Sequence, residues 1–458
     1  MTSSTTPALP QRHLGVWHAV SVCIGMVIGA GIFKTSPSVA ESLGSDGWLY
    51  LAWAAGGVLS FVGALCFAEM AAAFPDAGGD YHFLSRAFGV RFGLLFAWSR
   101  FAIIHTGSMA LLAFVFGDYL AQVLPAVAAL GEYASPVCAA AIVAVLVLLN
   151  LAGVRVGLGT QLGLMALVLG GLALVGASGA ALVLHGVPPA TPLQVADPAR
   201  VDWGTAMVFV FLAYGGWSDA ATLSSEMRDA RHGIVWALTI GLSLVAALYL
   251  LANWAYLQGL GLDGLAHSAA PAADLARLAF GRPGEIVVVA IVSLTSVSVM
   301  NAVLIAGART TYAAARDLAA AGGPNSVLGH WHPERGTPSA AVVAIGIVAL
   351  LLVGMGTLTR GGFATMVDYL SPVYWGFLIA SGAALIVLRR KHPEAVRPFR
   401  VPLYPWMPLA FCACSAYLLW ASLVYVKTGA VIGLAVMAAG GLLLWPLTRR
   451  RRPPPTAT

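Results

Sequence analysis

The stretch GMVIGAGIFKTSP, residues 25–37, decides how the rest of the chain is read. It lies inside an apolar run near 16–42 that is long enough to cross a bilayer core, which takes ~20 helical residues for ~30 Å. Yet it holds Gly25, Gly29 and Gly31, and then Lys34. Glycine costs ~1 kcal/mol relative to alanine inside a helix, and a charge near mid-membrane costs at least ~2.5–3.5 kcal/mol. A second stretch of the same kind, FLAYGGWSD at residues 211–219, interrupts a later apolar run. Isolated glycines have a plain use in membranes, where they let helices pack closely. Two such interruptions in corresponding runs also free backbone N–H and C=O groups at mid-membrane.

The 458 residues are 59% hydrophobic and only 10% charged, where a soluble globular chain carries roughly a quarter. With a mean hydropathy of +0.84, this reads as an all-α membrane protein, because lipid-exposed backbone must satisfy its own hydrogen bonds. Twelve runs reach spanning length, near 16–42, 47–73, 92–124, 135–153, 160–185, 204–227, 233–259, 284–316, 338–358, 363–389, 404–426 and 429–448. No removable signal peptide is visible: a polar tail, Met1 to Gln11, runs straight into the first span. Cys23, Cys66, Cys138, Cys412 and Cys414 fall in apolar runs and read as small core residues. The net charge of +6 is spread over many loops, so nucleic acid is not an expected partner. No His, Cys, Asp and Glu constellation points to a catalytic centre, a metal or a cofactor.

With the N-terminus inside, eighteen arginines and lysines fall on the inner side, five on the outer, and Lys34 and Arg100 within spans. That asymmetry puts both termini in the cytoplasm of a multi-pass cell (inner) membrane protein. The interrupted spans are the first and the sixth. If spans 1–5 (16–185) and 6–10 (204–390) are two halves, the odd number five inverts one relative to the other. Secondary transporters are built this way, with the substrate between broken helices. The remainder divides into a tail (1–15), a cytoplasmic loop (391–403), spans 11 and 12 (404–448) and a basic tail (449–458). Helix N-termini at a break favour an anion such as a carboxylate. Freed carbonyls favour a cation such as an ammonium, and an amino acid carries both.

Five motifs in order carry a family resemblance: GMVIGAGIFKTSP, FAEMAAAFPDAGGDYHFL, FLAYGGWSDAATLSSEMRDARHGI, NAVLIAGARTTYAAARD and RRKHPEAVRPFRVPLYP. Together they make the chain resemble the amino acid–polyamine–organocation superfamily, near its L-type amino acid transporter branch. The resemblance implies a leucine-transporter-type fold with 5+5 inverted repeats and discontinuous helices 1 and 6. It implies amino acid transport by alternating access, by exchange of neutral L-amino acids, with proton symport and polyamine or amine transport as alternatives. Carried over residue by residue, it puts the substrate carboxylate at the N–H groups of Gly29, Ala30 and Gly31, with Ile32 opening the outer half-helix. The ammonium falls to the carbonyls of Ile28 and of Phe211, Leu212, Ala213 and Tyr214, with Gly215 and Gly216 leaving space and Trp217 wedging the break. Leu212 stands where an aromatic lid is common. The helix 5 lysine that drives some relatives is absent, its position falling at Val168. Animal relatives use a cysteine between helices 3 and 4 to hold a glycoprotein. LPAVAALGEYAS (residues 124–135) has none, so no disulfide-linked glycoprotein subunit is expected.

Five charges are candidates for gating or coupling: Lys34, Glu69, Arg100, Asp219 and Glu226. Arg100 lies ~12 Å from the inner end of span 3 at 1.5 Å per residue, a depth similar to that of Asp219, so an ion pair is expected. Glu69 and Glu226 are expected near Arg86, Arg228 and Arg231. Lys34 either lines the outer vestibule or snorkels to the interface. Asp219, His105 and Glu69 are the candidate proton carriers, and the hydroxyls of Ser293, Ser296 and Ser298 the candidates for sodium.

Overall fold

The computed structural model describes residues 16–29, 31–76, 78–153, 158–187, 201–220, 227, 230–320, 326–332, 337–359, 361–425 and 429–449. In chain order the helices are α1 (Val16–Val27), α2 (Ile32–Leu43), α3 (Asp46–Ala73), α4 (Asp80–Phe88), α5 (Val90–Ser99), α6 (Thr106–Val123), α7 (Pro125–Ala128), α8 (Ala134–Leu151), α9 (Leu158–Leu184), α10 (Trp203–Ala213), α11 (Trp217–Ala220), α12 (Ala230–Ala266), α13 (Pro271–Ala320), α14 (Ser339–Leu358), α15 (Gly362–Lys391), α16 (Trp406–Tyr425) and α17 (Gly429–Arg449). A π-helical segment, Arg100–His105, joins α5 to α6 in one long helix. Among the described residues the only β-type pairing is an isolated bridge between His332 and Thr337.

Among the described residues nine helices are long and apolar enough to cross a membrane, and a tenth span arises if α1 and α2 count as one helix bent by 48°. Twelve were expected. The sixth is divided by the break, with the eleven residues of α10 before it and α11 beginning at Trp217 after it. Helix α17 runs from Gly429 to Arg449, and its described apolar part covers Ala430–Leu444. The segment between the seventh and eighth spans, read as loop from sequence, is largely helical. Helix α12 bends at Gly261 and α13 at Gly281, and the intervening apolar face (Leu265, Ala272, Leu275, Ala276) is fully buried.

Burial follows the membrane pattern. Leucines face outward, Leu358 at 87% and Leu184 at 85% exposure, while Trp53, Tyr214, Trp217, Tyr249 and Trp375 are sealed inside. Small residues allow the approach. A Cβ on Gly56 would lie 2.3 Å from Val210 Cγ1, and one on Gly57 3.1 Å from the Tyr214 hydroxyl. So the side chains of Val210 and Tyr214 seat directly on the glycine face of α3, which lets the helices pack closely. Beside that contact, Trp53, Tyr214 and Tyr249 form a cluster with ring centroids 5.0 to 5.9 Å apart.

Candidate functional site

Both glycine stretches are breaks. At the first, the Ile28 N–H donates to Ile24 O at 2.7 Å, and the Gly29 N–H turns back to Val27 O at 2.8 Å. Helix α2 then starts, with the Lys34 and Thr35 N–H groups on Gly31 O at 2.9 and 2.8 Å. Its leading amides have no acceptor inside the helix. Ala30 lies outside the described residues. At the second break, the Gly215 N–H donates to Leu212 O at 3.1 Å and Gly216 takes φ +97°. Glycine enters that left-handed region without steric penalty.

The breaks touch each other. A Cβ on Gly31 would lie 3.3 Å from Ala213 Cα, and one on Gly216 2.2 Å from Met26 O. Gly216 is therefore a crossing point of two backbones, and it also lines the cavity beside the break. The Tyr249 hydroxyl, from α12, sits 3.0 Å from Ala213 O and 3.3 Å from Val27 O, joining both breaks through one proton. No sequence motif pointed to Tyr249.

A cavity of about 190 Å³ opens against the two breaks. Of the residues expected to bind substrate, Gly29, Gly31, Leu212, Ala213 and Gly215 line it. Ile28, Ile32, Phe211 and Tyr214 are buried behind that surface. The rest of the wall is largely apolar, with Ile104, Leu111, Val299, Val303 and Phe363 among its members.

Charges collect in the same cavity. Arg100 and Asp219 line it and pair at 2.6 Å. Arg100 is also 2.7 Å from His105 Nε2. The π-helical segment makes this possible, because its i to i+5 spacing stacks Arg100 and His105 on one face, where an α-helix would turn them apart. A guanidinium is always a donor, so His105 Nε2 accepts and the ring is neutral. Asp80, which the sequence reading passed over, lines the cavity as well, from the first turn of α4 between the second and third spans. Its side chain is 7% exposed, and Oδ1 has no hydrogen-bond partner among the described residues. Burial pushes this carboxyl up to about 8; Arg100 pulls it down and Asp219 pushes it up.

Lys34 neither snorkels nor lies free. It pairs with Asp118 of α6 at 2.7 Å and donates to Ala269 O at 2.8 Å. Tyr119 of α6 donates to Phe33 O at 2.6 Å, so α2 is tied to α6 twice. Glu69 does not line the cavity, and among the described residues its partners come from α15 and the segment after it. Arg389 forks onto it at 2.7 and 2.5 Å, Arg397 approaches to 3.5 Å, and the Val401 N–H donates at 2.7 Å. Arg86 turns instead to His392 at 3.3 Å and to the Phe74 ring. Glu226 and Arg228 lie outside the described residues. Among the described residues no group of three or more His, Cys, Asp and Glu is placed to hold a metal ion.

Comparison with known proteins gives this cavity a context. The amino acid permease family profile matches residues 14–444. The human b(0,+)-type amino acid transporter 1 is 27% identical over 439 residues, which cover 95% of this chain and 87% of the relative. The large neutral amino acids transporter small subunit 2 of Rattus norvegicus is 29% identical over 436 residues, 94% of this chain and 79% of the relative. Both relatives are transporters. The second is by name one subunit of a larger assembly, which overturns the expectation that no disulfide-linked glycoprotein subunit accompanies this chain. One loop without cysteine was too narrow a ground for that expectation, since a subunit contact need not run through a single disulfide. The five motifs, the paired breaks and the match over nearly the whole length agree, and the chain belongs to the amino acid permease family, within the amino acid–polyamine–organocation superfamily.

Proposed function

We propose that the protein moves neutral L-amino acids across the cytoplasmic membrane by alternating access, exchanging one for another. The observation that supports it most is a single cavity bordered by both helix breaks and otherwise mainly apolar. The substrate carboxylate takes the amides that open α2, at Gly31 and Ile32, where the helix dipole favours an anion. The ammonium takes carbonyls at Ile28 and at the second break, near Phe211. A neutral side chain lies against Leu212, Ile104, Val299 and Phe363. A polyamine would leave the α2 amides without their anion. We propose further the twelve-span architecture with inverted halves 16–185 and 204–390 and both termini in the cytoplasm, which the positive-inside count supports. A stability screen of the purified protein against the twenty amino acids, followed by counterflow in proteoliposomes, tests the reading. Uptake that internal amino acid accelerates is expected; bound amino acid with no flux would sink it.

The two ion pairs fit alternating closure. The long helix formed by α5, the π-helical segment and α6 holds Asp118 against α2 on one side of the breaks and Arg100 against α11 on the other. Each pair is a latch that one half-cycle opens. A charge-assisted hydrogen bond is worth ~1.5–3 kcal/mol, roughly 10- to 150-fold. Arg100→Gln and Asp219→Asn are each expected to slow uptake by a factor in that range. The exchanged pair, Arg100→Asp with Asp219→Arg, recovers a measurable part. Normal uptake by Arg100→Gln would end the latch assignment.

A further inference from the structure

The sequence named Asp219, His105 and Glu69 as candidate proton carriers, and each is held in one protonation state by its partners. Asp219 faces Arg100 at 2.6 Å, His105 accepts from Arg100, and Glu69 accepts from Arg389 and the Val401 N–H. Asp80 differs from all three. It is nine-tenths buried, borders the substrate cavity, and its Oδ1 has no donor among the described residues. A buried carboxylate without donors is strongly disfavoured as an anion, and the neutral acid relieves that penalty. Asp368 also has an Oδ1 without a partner, but it does not line the cavity.

We propose that Asp80 is the proton-binding group of this transporter, holding a proton while Arg100 is paired with Asp219 and releasing it when Arg100 turns from Asp219 to Asp80. The charged neighbours define the switch. Arg100 and His105 face the site from the π-helical segment, Asp219 from α11 and Tyr374 from α15. On and beside α4 the other charges are engaged elsewhere: His82 with Asp76, Arg86 with His392, and Lys391 with Ala87 O. With Arg100 committed to Asp219, a second anion beside it is repelled and Asp80 stays protonated, as its upward shift agrees. If α11 swings away, the guanidinium loses its carboxylate and Asp80 is the remaining one in its field. The O–H bond of Asp80 breaks, its electron pair stays on the carboxylate, and the proton leaves to water on the open side. A metal cation would meet the charge of Arg100 at this position, whereas a proton simply neutralises Asp80.

This rests on the transport reading and adds its coupling. When amino acid exchanges for amino acid, each leg carries one proton and there is no net proton movement. When the carrier returns empty, one proton enters with each amino acid.

The first test needs neither substrate nor flux. Infrared titration of the purified full-length protein is expected to show a carboxylic-acid band that disappears with a midpoint near pH 8. Asp80→Asn removes the band and Asp80→Glu retains it at a shifted frequency. A band untouched by both variants, or no titration at all, overturns the proposal; Asp80→Glu and the wild-type titration still decide if Asp80→Asn does not fold. The second test offers the amino acid selected by the stability screen from outside to proteoliposomes whose lumen holds only a trapped pH dye. An inward proton gradient is expected to raise net uptake several-fold and to acidify the lumen in step with it. Residual uptake by Asp80→Asn ignores the gradient, and uptake equally indifferent to it in wild type overturns the coupling. Absence of any flux with the Asp80 band present would remove the transport reading and leave the proton site standing.

Discussion

Glu69→Gln is expected to lower stability by about 3–5 kcal/mol, the usual effect of removing one partner from a buried ion pair. Glu69 is 1% exposed, accepts from the Arg389 fork and the Val401 N–H, and has Arg397 as a second cation at 3.5 Å. Glutamine keeps the shape but turns one acceptor into a donor, which then faces a guanidinium or the Val401 N–H. Two arginines are left beside a neutral group, with Arg389 also stacked on the Tyr404 ring at 3.8 Å. The segment that follows α15 is held to the end of α3 through this carboxylate, so its loss frees that segment as well as the pair. Thermal unfolding followed by size-exclusion chromatography of the solubilised protein measures it. Arg86→Ala is the control, since among the described residues Arg86 holds His392 and the Phe74 ring; exposed contacts of that kind are worth ~0–1 kcal/mol. A Glu69→Gln protein as heat-stable as wild type would show that these contacts do not hold the helices together.

The same contacts show what sequence could and could not supply. The breaks were legible because glycine pairs in long apolar runs are a local signal, and IGAGIF and FLAYGG do stop α1 and α10. The Arg100 and Asp219 pair was legible from depth, because 1.5 Å per residue converts position along a helix into height. Partners that depend on rotation about the helix axis were not. Glu69 meets residues more than three hundred positions away, and Lys34 meets Asp118 across a helix face that its own helix does not reveal. The π-helical segment was invisible for the same reason, since RFAIIH has no composition that separates it from its α-helical neighbours. Without that segment Arg100 and His105 do not align, and the neutral state of His105 has no basis. Asp80 was hidden inside a stretch read only as a family motif, where a polar residue looked like ordinary loop. Tyr249 was hidden because a tyrosine in an apolar helix gives no sign of which carbonyls its hydroxyl will reach.

Gly216→Ala is expected to bring uptake to background and to reduce the folded yield. Two penalties act together at this position. The backbone holds φ +97°, where a Cβ costs ~1–2 kcal/mol, and that Cβ would stand 2.2 Å from Met26 O. The second penalty is the larger, because the opposing atom is backbone in the last turn of α1 and has no rotamer to yield. Overpacking of this kind typically costs 1–3 kcal/mol, which makes the sum ~2–5 kcal/mol. Relief requires α1 to move away from α10 and α11, and with it Val27, whose carbonyl shares the Tyr249 hydroxyl with Ala213. Both breaks therefore shift when either is pushed. Gly215→Ala is the discriminating control: its Cβ would meet Leu212 O at 3.0 Å and the Tyr374 hydroxyl at 3.5 Å, without a left-handed backbone. A moderate loss is expected there, from crowding of the cavity alone. Counterflow of the two variants at matched folded amounts, read beside their thermal midpoints, separates backbone crossing from cavity filling. If Gly216→Ala transported as well as Gly215→Ala, the contact between the two breaks would not be part of the transport machinery.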